Sequence, residues 1–470
     1  MYAAFKNLIE ESARRFQLLD KKEIIRVVSH LDADGICSAA IMINALNKEN
    51  RRYTISILPQ LKEENLKELA KESGNIFVFT DLGSGQLDVI HKVLHHKTVF
   101  ILDHHVPQSE KTAKNIIHVN PCLHGIDGST VISGAGVVYL FSKALLQNTE
   151  MSHIAIIGAI GDIQDKEGFS DLNKEILNDA VASGKMQVTQ GLKFFGLQTR
   201  PLPKLLQYST DTVIPGVTGS ESNAIQFLMS LGIHPKNGNG WKRLTDLTDE
   251  EKQKLVAGII MKRVDLPRPD NIFTDVYLLT EENDTSPLKE AKEFSTLLNA
   301  CGRMNKASLG IGACLNDKKL KAQAVRHLVN YKREIMNALT WFSENKHNSA
   351  IVIKKDNYMI INAETSIMAT MIGTLTSILS KNNDFKPNYY LLGMAQNDDL
   401  TTKISLRITG NSEDVNLKDI INQMIALLGH GEGGGHPYAA GAVIKTDDEA
   451  SFLKIAQQVL DKVVMEEHIA

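Results

Sequence analysis

The amino-acid sequence predicts an α/β fold built on a parallel sheet, followed by a smaller α/β domain. From residue 23 to about residue 102, short apolar runs rich in β-branched residues alternate with segments of helical patterning. Runs that are apolar along their whole length are typical of parallel strands covered on both faces. The four predicted strands are IIRVV (24–28), TISIL (54–58), NIFVF (75–79) and TVFIL (98–102).

Helices complete the first predicted domain, which we place at residues 1–190. They follow the fourth strand and mix polar with apolar positions, as expected of helices that cover a sheet on one side. Their predicted ranges are 134–147, 153–163 and 171–183.

Two further regions follow the first domain. Residues 191–345 contain turns rich in proline and glycine and then a strongly helical stretch at 325–346. We therefore predict a linker region with insertions that ends in a long connecting helix. Residues 346–470 return to short apolar runs separated by helices near 366–381 and 417–428, which predicts the smaller α/β domain.

Length, charge and cysteine content limit the class of protein. A chain of 470 residues has room for two to three domains, and its net charge is −3. This balance provides no global positive field, so any nucleic acid would be bound by a local patch. The four cysteines form no CxxC pair, and no segment has the ~18 apolar residues that cross a bilayer. We predict a cytoplasmic protein with free thiols and no membrane partner.

Carboxylate and imidazole side chains directly follow three of the predicted strands. Ligands of open α/β sheets gather at the carboxyl ends of the strands, so we expect these side chains to converge. A further acid, Asp162, follows the apolar run HIAIIGAIG. The other residues are His30, Asp32 and Asp34 after the first strand, Asp81 after the third, and Asp103, His104 and His105 after the fourth.

The residue types limit the chemistry of this cluster. Several carboxylates with imidazoles and no thiolate favour Mn²⁺ or Mg²⁺ over a cysteine-rich zinc site. Carboxylates crowded in this way repel each other unless cations are bound. Two divalent ions about 3.5–4 Å apart promote in-line attack on phosphorus. A single aspartate at a strand end is usually a helix cap or turn residue, but the recurrence at several strand ends favours a metal site.

A glycine-rich segment near the C-terminus, GHGEGGGHPYAAGAVI, offers a second site. Five glycines between 429 and 435 are costly in conformational entropy, and a loop of this kind lets backbone N–H groups approach an anion. His436 would add a donor, and Arg407 in KISLRITG is a candidate phosphate clamp. The alternative is that the glycines form only a tight turn and that Arg407 lies on an exposed strand face. The sequence leaves both open.

Together these residues resemble the DHH phosphoesterase superfamily. A segment at 293–312, EFSTLLNACGRMNKASLGIG, is similar to a segment of archaeal RecJ-like exonucleases. The four motifs are matched by His30-Leu31-Asp32-Ala33-Asp34-Gly35, by Asp81 in TDLGS, by Asp103-His104-His105 and by Asp162 in GDIQD, and a C-terminal DHHA1-type domain is matched by Ser405-Leu406-Arg407 and Gly433-Gly434-Gly435-His436.

The resemblance implies a role for each of these positions. Two divalent cations, Mn²⁺ ahead of Mg²⁺, would be bound with Asp81 as the bridge. Asp103 would orient the cluster from behind, and His105 would donate to the oxygens of the scissile phosphate. The implied metal ligands are His30, Asp32, Asp34, Asp81, His104 and Asp162, and the implied substrate-binding residues are Arg407, Gly433, Gly434, Gly435 and His436.

Three functions are compatible with the resemblance. The first is an exonuclease that hydrolyses single-stranded DNA or RNA with metal-activated water. The second is a replication scaffold that binds the GINS complex or other replicative-helicase components. The third is a phosphodiesterase for short oligonucleotides or cyclic dinucleotides. The intact ligand set favours catalysis over the scaffold role, whereas the motifs do not encode substrate length.

Overall fold

The chain consists of two compact units in the computed structural model, Met1–Leu328 and Val329–Ala470. The division falls within one long helix. Within the described residues, no helix combines the length and the apolar character that crossing a membrane requires. The structure describes residues 2–110, 113–147, 149–209, 211–381, 385–410, 415–436 and 438–469.

A five-stranded parallel sheet with the order β2-β1-β3-β4-β5 forms the centre of the first unit and confirms the predicted fold class. Each of the four predicted strands is present. The fifth is only four residues long and contains a histidine, so it lacks the apolar run that marks the others. The strands are β1 (Ile25–His30), β2 (Tyr53–Leu58), β3 (Ile76–Thr80), β4 (Thr98–Leu102) and β5 (Ile116–Val119).

Helices cover both faces of this sheet. Successive residues of β4 show the arrangement, because Val99 and Ile101 pack in the apolar cluster with α3 and α4, whereas the Phe100 ring meets the Phe16 ring of α1 at 5.3 Å. This double burial explains the fully apolar strands. The helices are α1 (Tyr2–Gln17), α2 (Ala33–Lys48), α3 (Glu63–Ala70), α4 (Leu87–Leu94), α5 (Gly134–Leu146), α6 (Ser152–Gly161) and α7 (Asp171–Ala182).

The region predicted to be a linker with insertions contains a hydrophobic core of its own, which includes Leu205, Phe227 and Ile259. Proline and glycine turns separate its short elements, so no long periodic pattern signals this core. Two later helices, α11 and α12, pack against α2, which covers the first sheet. The elements are β6 (Met186–Leu192), α8 (Leu202–Gln207), α9 (Glu221–Ser230), β7 (Lys236–Asn237), β8 (Gly240–Trp241), α10 (Asp249–Lys262), β9 (Phe273–Leu279), α11 (Ala291–Arg303) and α12 (Ala307–Cys314).

The second unit is the smaller α/β domain that the sequence predicts. Its sheet has the order β10-β11-β12-β13-β15-β14, and only β11 and β12 are parallel neighbours. The predicted connecting helix is present as α13 (Lys318–Asn345). The remaining elements are β10 (Val352–Lys354), β11 (Tyr358–Asn362), α14 (Ala369–Ser380), β12 (Tyr390–Gln396), β13 (Thr401–Ile408), α15 (Leu417–Leu428), β14 (Glu432–His436), β15 (Ala439–Lys445) and α16 (Glu449–Ile469).

The prediction of a loop at Gly433, Gly434 and Gly435 is wrong, because these residues form the edge strand β14. Gly435 has φ +124°, and a Cβ atom there would lie 2.5 Å from the Ala439 carbonyl oxygen. Glycine is therefore required by close strand pairing at the hairpin rather than by a flexible loop.

Candidate metal centre

The carboxyl ends of β1, β3 and β4 carry the predicted site residues. His30 is the last residue of β1, and Asp32 caps α2 by accepting a hydrogen bond from Gly35 N at 3.0 Å. Asp81 follows β3 with φ +58°, an uncommon conformation for a residue other than glycine. Asp103 follows β4 directly. Parallel pairing of the three strands brings these loops to one edge of the sheet, as predicted.

His104 lies at the centre of one group of ligands. Its Nε2 atom is 3.3 Å from Asp81 Oδ1, 3.3 Å from Asp162 Oδ2 and 3.8 Å from Asp34 Oδ2. The Nδ1 atom is held by the Gly128 carbonyl oxygen at 2.6 Å. A hydrogen bond from Nδ1 leaves the Nε2 lone pair of the neutral ring directed at the aspartates, where a metal ion would be bound.

Asp81 connects this group to a second one. His30 Nδ1 is 2.9 Å from Asp32 Oδ2 and 3.6 Å from Asp81 Oδ2. Asp81 therefore turns Oδ1 toward His104 and Oδ2 toward His30. The structure brings together all six predicted metal ligands: Asp81 belongs to the group of His30 and Asp32, and its Oδ1 contacts His104 of the group that also contains Asp34 and Asp162.

The buried polar atoms of this cluster fit a bound cation. Asp81 is 2% exposed, and neither of its carboxylate oxygens has a hydrogen-bond partner among the described residues. Nε2 of His104 is also buried without such a partner. A buried carboxylate without a partner is strongly destabilising, and a divalent cation would satisfy these atoms.

The pKa values of the cluster show how the charges interact when no cation is bound. Burial, together with repulsion from Asp81, raises the pKa of Asp34 to about 7. Burial and the charge of Asp34 raise the pKa of Asp162 well above its ordinary value. Burial alone would lower the pKa of His104, but the surrounding carboxylates outweigh it and raise that pKa. The cluster thus retains protons that a cation would replace.

Backbone groups of α5 and α6 lie against the carboxylates. Gly134 N and Ala135 N, at the start of α5, donate to the two oxygens of Asp34 at 2.7 and 3.0 Å. A Cβ atom on Gly134 would lie 2.6 Å from Asp81 Oδ1, and one on Gly158 would lie 2.4 Å from Asp34 Oδ1. These two glycines let the helices approach the cluster. Their role could not be predicted from the sequence, because a glycine within a helix has no distinctive signature.

Asp103 supports the two histidines that follow it through hydrogen bonds. Its Oδ1 accepts hydrogen bonds from His104 N at 2.8 Å, His105 N at 3.2 Å and His105 Nδ1 at 2.8 Å, and its Oδ2 accepts from Ser84 N at 3.0 Å. Burial would raise the pKa of Asp103, but the neighbouring histidines and these N–H donors hold it below its ordinary range. The His105 side chain is 41% exposed, unlike the buried His104.

Asn299 of α11 holds the loop that carries the first motif. Its Oδ1 accepts a hydrogen bond from Ala33 N at 3.0 Å. Ala33 lies between Asp32 and Asp34, so this contact fixes the backbone between two predicted ligands. Asn299 belongs to the segment 293–312, which resembles a segment of RecJ-like proteins. That resemblance did not indicate the contact with Ala33.

The predicted substrate-binding residues form a separate group in the second unit. Arg407 is half-buried and donates to Ser377 Oγ at 2.8 Å, to the Leu406 carbonyl at 2.8 Å and to the Ala440 carbonyl at 3.3 Å. Ala440 pairs with Gly435, so one strand, β15, lies between Arg407 and the glycine strand. The side chain of His436 lies outside the described residues.

Three family models match the chain. The DHH family, N-terminal domain, matches residues 24–161, and the DHHA1 domain matches residues 356–462. The DHH-CID domain matches residues 194–272, the region with its own hydrophobic core. The first model contains every predicted metal ligand except Asp162, which follows its last matched residue directly.

Two curated relatives match different lengths of the chain. An uncharacterized protein of Methanocaldococcus jannaschii is 32% identical over 451 residues, which cover 94% of this chain and 95% of that protein. The single-stranded-DNA-specific exonuclease RecJ of Bacillus subtilis is 27% identical over 173 residues, covering 34% of this chain and 21% of RecJ. The match to RecJ thus spans about a fifth of that protein.

Two solved structures share the fold. RecJ of Thermus thermophilus in complex with Mn²⁺ has a TM-score of 0.57 at 15% identity, covering 97% of this chain and 54% of that one. CDC45 of Entamoeba histolytica has a TM-score of 0.61 at 12% identity, covering 97% of each chain. At such identities the similarity shows the fold alone.

Proposed function

The chain belongs to the DHH superfamily of RecJ-like proteins, and on that premise we propose that it is an exonuclease that uses divalent cations to hydrolyse single-stranded nucleic acid. The observation that carries the proposal is the meeting of two ligand groups at the buried, unpartnered carboxylate of Asp81. A phosphoesterase or nuclease is the class that family membership supports. Exonucleolytic action on single strands is our finer proposal.

The two ligand groups would hold two cations. Carboxylate oxygens and imidazole nitrogens without thiolate suit Mn²⁺ best and Mg²⁺ next. Divalent cations, when bound, activate water and neutralise charge on the phosphate. Asp81 would be shared by the two groups. The first group is His30 and Asp32, and the second is Asp34, His104 and Asp162.

His105 would touch the scissile phosphate. Its ring is 41% exposed, and its Nδ1 is anchored by the buried Asp103 at 2.8 Å. A ring with hydrogens on both nitrogens donates from Nδ1 to Asp103 and from Nε2 to a phosphate oxygen. We therefore assign His105 the task of donating a hydrogen bond to a phosphate oxygen, while Asp103 holds the ring in place.

The second unit would bind the phosphate backbone of the strand. Arg407 offers a guanidinium group, and the edge strand of Gly433, Gly434 and Gly435 presents backbone groups without side chains to cover them. Such contacts recognise phosphates without reading bases, as sequence-independent binding of single strands requires. The backbone of His436 continues this strand.

A replication-associated scaffold is the second candidate, because CDC45 of Entamoeba histolytica shares the fold along the whole chain. A scaffold does not need six converging ligands, and their presence here favours catalysis. A third candidate, a phosphodiesterase for short oligonucleotides or cyclic dinucleotides, differs from the first only in substrate length.

One assay distinguishes these candidates. End-labelled single-stranded DNA and RNA of several lengths are incubated with Mn²⁺, beside the same strands annealed to their complements, a cyclic dinucleotide and bis(p-nitrophenyl) phosphate. We expect stepwise shortening of single strands that stops with EDTA. Cleavage of only the shortest substrates would favour the third candidate, and no cleavage of any substrate would favour the scaffold.

A further inference from the structure

A buried network of Ser84, His118 and Asn120 lies behind the DHH motif. Ser84 and Asn120 are 0% exposed and His118 is 5% exposed. None of the three is among the proposed metal ligands or substrate contacts. Their hydrogen bonds nevertheless end on His105 and Asp103, the two residues proposed to meet and orient the phosphate.

The orientation of the Asn120 amide is fixed by two backbone groups. Its Oδ1 accepts from Cys122 N at 2.8 Å, and its Nδ2 donates to the His105 carbonyl oxygen at 2.8 Å. A backbone N–H only donates and a backbone carbonyl only accepts, so the amide has one orientation that satisfies both. The second hydrogen on Nδ2 is directed to Ser84 Oγ, also at 2.8 Å.

This assignment leaves the Ser84 hydroxyl hydrogen available for a second partner. Ser84 Oγ has two partners among the described residues, Asn120 Nδ2 and His118 Nε2, the latter at 2.8 Å. Asn120 is the donor in the first contact, so the hydroxyl hydrogen remains available for Nε2 of His118 when the ring carries its own hydrogen on Nδ1. Burial lowers the pKa of His118, so its ring is neutral near pH 7 and Nε2 can accept.

We propose that Ser84, His118 and Asn120 are positioning residues that hold the His105 backbone and the Asp103 carboxylate in the geometry for contact with phosphate. The chain of donors runs from Asn120 to the His105 carbonyl, while Ser84 N donates to Asp103 and the Ser84 carbonyl accepts from Gln108 N at 2.8 Å. Ser84 thus contacts both Asp103 and Gln108, which bound the loop that carries His104 and His105. The inference rests on the proposed function only through the role of His105.

If the network positions His105 through hydrogen bonds, removing one hydrogen bond should have an effect that a change in packing alone would not have. Substitutions that preserve volume but remove one hydrogen bond should let His105 shift while the metal ligands stay in place. Loss of support behind a catalytic group typically costs about 10- to 100-fold in activity. The loss should appear in kcat, because His105 acts on the phosphate in the transition state, and not in Mn²⁺ binding.

The test compares matched variants of the full chain. Asn120→Asp keeps the acceptor for Cys122 N and removes the donor to His105 and to Ser84. His118→Gln keeps an acceptor near Nε2, whereas His118→Leu removes it. Ser84→Ala removes the hydroxyl and keeps the backbone N–H to Asp103. The control is Ser209→Ala, a buried serine of the 191–290 region whose hydroxyl donates to the Leu206 carbonyl at 2.7 Å.

Three quantities are measured for each variant: kcat and KM on a labelled oligonucleotide, Mn²⁺ affinity by calorimetry, and hydrogen exchange of residues 104–108 by mass spectrometry. We expect Ser84→Ala, His118→Leu and Asn120→Asp to lose about 10- to 100-fold in kcat with unchanged Mn²⁺ affinity and faster exchange at 104–108. His118→Gln should stay close to the wild type, and Ser209→Ala should match it.

Wild-type kcat in both Ser84→Ala and His118→Leu would overturn the proposal, and so would a loss in His118→Gln as large as in His118→Leu. An inactive wild-type protein would contradict the proposed function instead. Hydrogen exchange then decides the inference separately: faster exchange at 104–108 in the three variants supports the positioning network, and unchanged exchange overturns it.

Discussion

The metal centre of the first unit and the Arg407 group of the second unit differ in whether their charged side chains have hydrogen-bond partners. In the first, both oxygens of the buried Asp81 lack a hydrogen-bond partner among the described residues, beside further carboxylates. In the second, Arg407 is anchored to Ser377 and to two backbone carbonyls. On the proposed function, cations would complete the first site, whereas the protein itself already holds the Arg407 side chain in place. Chemistry should therefore depend on the first, and affinity for long strands on the second.

The largest expected effect comes from substituting Asp81, the carboxylate that the two ligand groups share. Asp81→Asn should lower phosphodiester hydrolysis by more than about 100-fold, which is the upper range for residues that only support a ligand. The protein should remain folded, because removing one buried charge relieves repulsion in the cluster. Initial rates with Mn²⁺ and thermal unfolding measure the two effects. Asp88→Asn, an exposed aspartate in α4, should change neither, and an active Asp81→Asn variant would contradict the ligand assignment.

Substitution in the second unit should produce a different kinetic pattern. Arg407→Ala should raise KM for long oligonucleotides about 10- to 100-fold, as expected when hydrogen bonds from a charged group to phosphate are lost. Hydrolysis of bis(p-nitrophenyl) phosphate should be almost unchanged, because this small substrate does not reach the contact. Steady-state kinetics with both substrates is the measurement, and Lys354→Ala is the control. Equal losses on both would mean that the second unit takes part in the chemical step.

The metal centre should respond to pH in a way that the Arg407 group does not. The pKa of Asp34 is raised to about 7, so its proton must leave for Mn²⁺ to bind. Because Asp162 and His104 also have raised pKa values, Mn²⁺ affinity should rise by at least about tenfold per pH unit toward pH 7. In the metal-free protein a raised carboxyl pKa means that the folded state binds more protons than the unfolded state, so stability falls as pH rises from about 4 to 7.

Calorimetric titration with Mn²⁺ between pH 5 and 8 measures the affinity, and thermal unfolding in EDTA over the same range measures the stability. Asp34→Asn should weaken the pH dependence of stability in EDTA. A Mn²⁺ affinity that is constant over this range would contradict the assignment of Asp34 as a ligand that is protonated before the metal binds.

The smallest expected effect comes from substituting Asn299 of α11, which lies outside the loops that carry the proposed ligands. Asn299→Ala removes the hydrogen bond to Ala33 N, which is worth about 1 kcal/mol of stability. Because the loop between Asp32 and Asp34 loses this support, Mn²⁺ affinity should fall by about tenfold at most. Asn47→Ala, an exposed position in α2, is the control. A loss of stability without any change in Mn²⁺ affinity would restrict Asn299 to a packing role.

The two sites also differ in how far the sequence predicted them. Strand ends are visible in a sequence, since an apolar run followed by Asp or His marks both the strand and its polar end. The convergence of Asp34, Asp81 and His104 follows from parallel pairing of the strands that precede them, whereas Asp162 reaches the cluster from the end of α6. The hairpin that makes Gly435 an edge-strand residue depends on its pairing with β15, which the letters GEGGGH do not specify.

The supporting contacts could not be predicted for a related reason. The carbonyl of Gly128 behind His104 and the N–H groups of Gly134 and Ala135 on Asp34 are backbone atoms, which every residue possesses. Asn299 reaches the first motif from more than 260 residues away, and no local pattern records that contact. Residue type predicted the candidate ligands, whereas the tertiary structure determines what holds them.

We propose that Asp81 joins two cation sites, and the most direct test is to count the bound cations. Equilibrium dialysis of the metal-free protein against Mn²⁺, with hydrolysis rates measured on the same samples, gives stoichiometry and activity together. We expect two Mn²⁺ per wild-type chain, with hydrolysis appearing as the second is bound, and at most one per chain in an inactive Asp81→Asn variant. Two ions retained in an active Asp81→Asn variant, or full wild-type activity with none bound, would contradict the account.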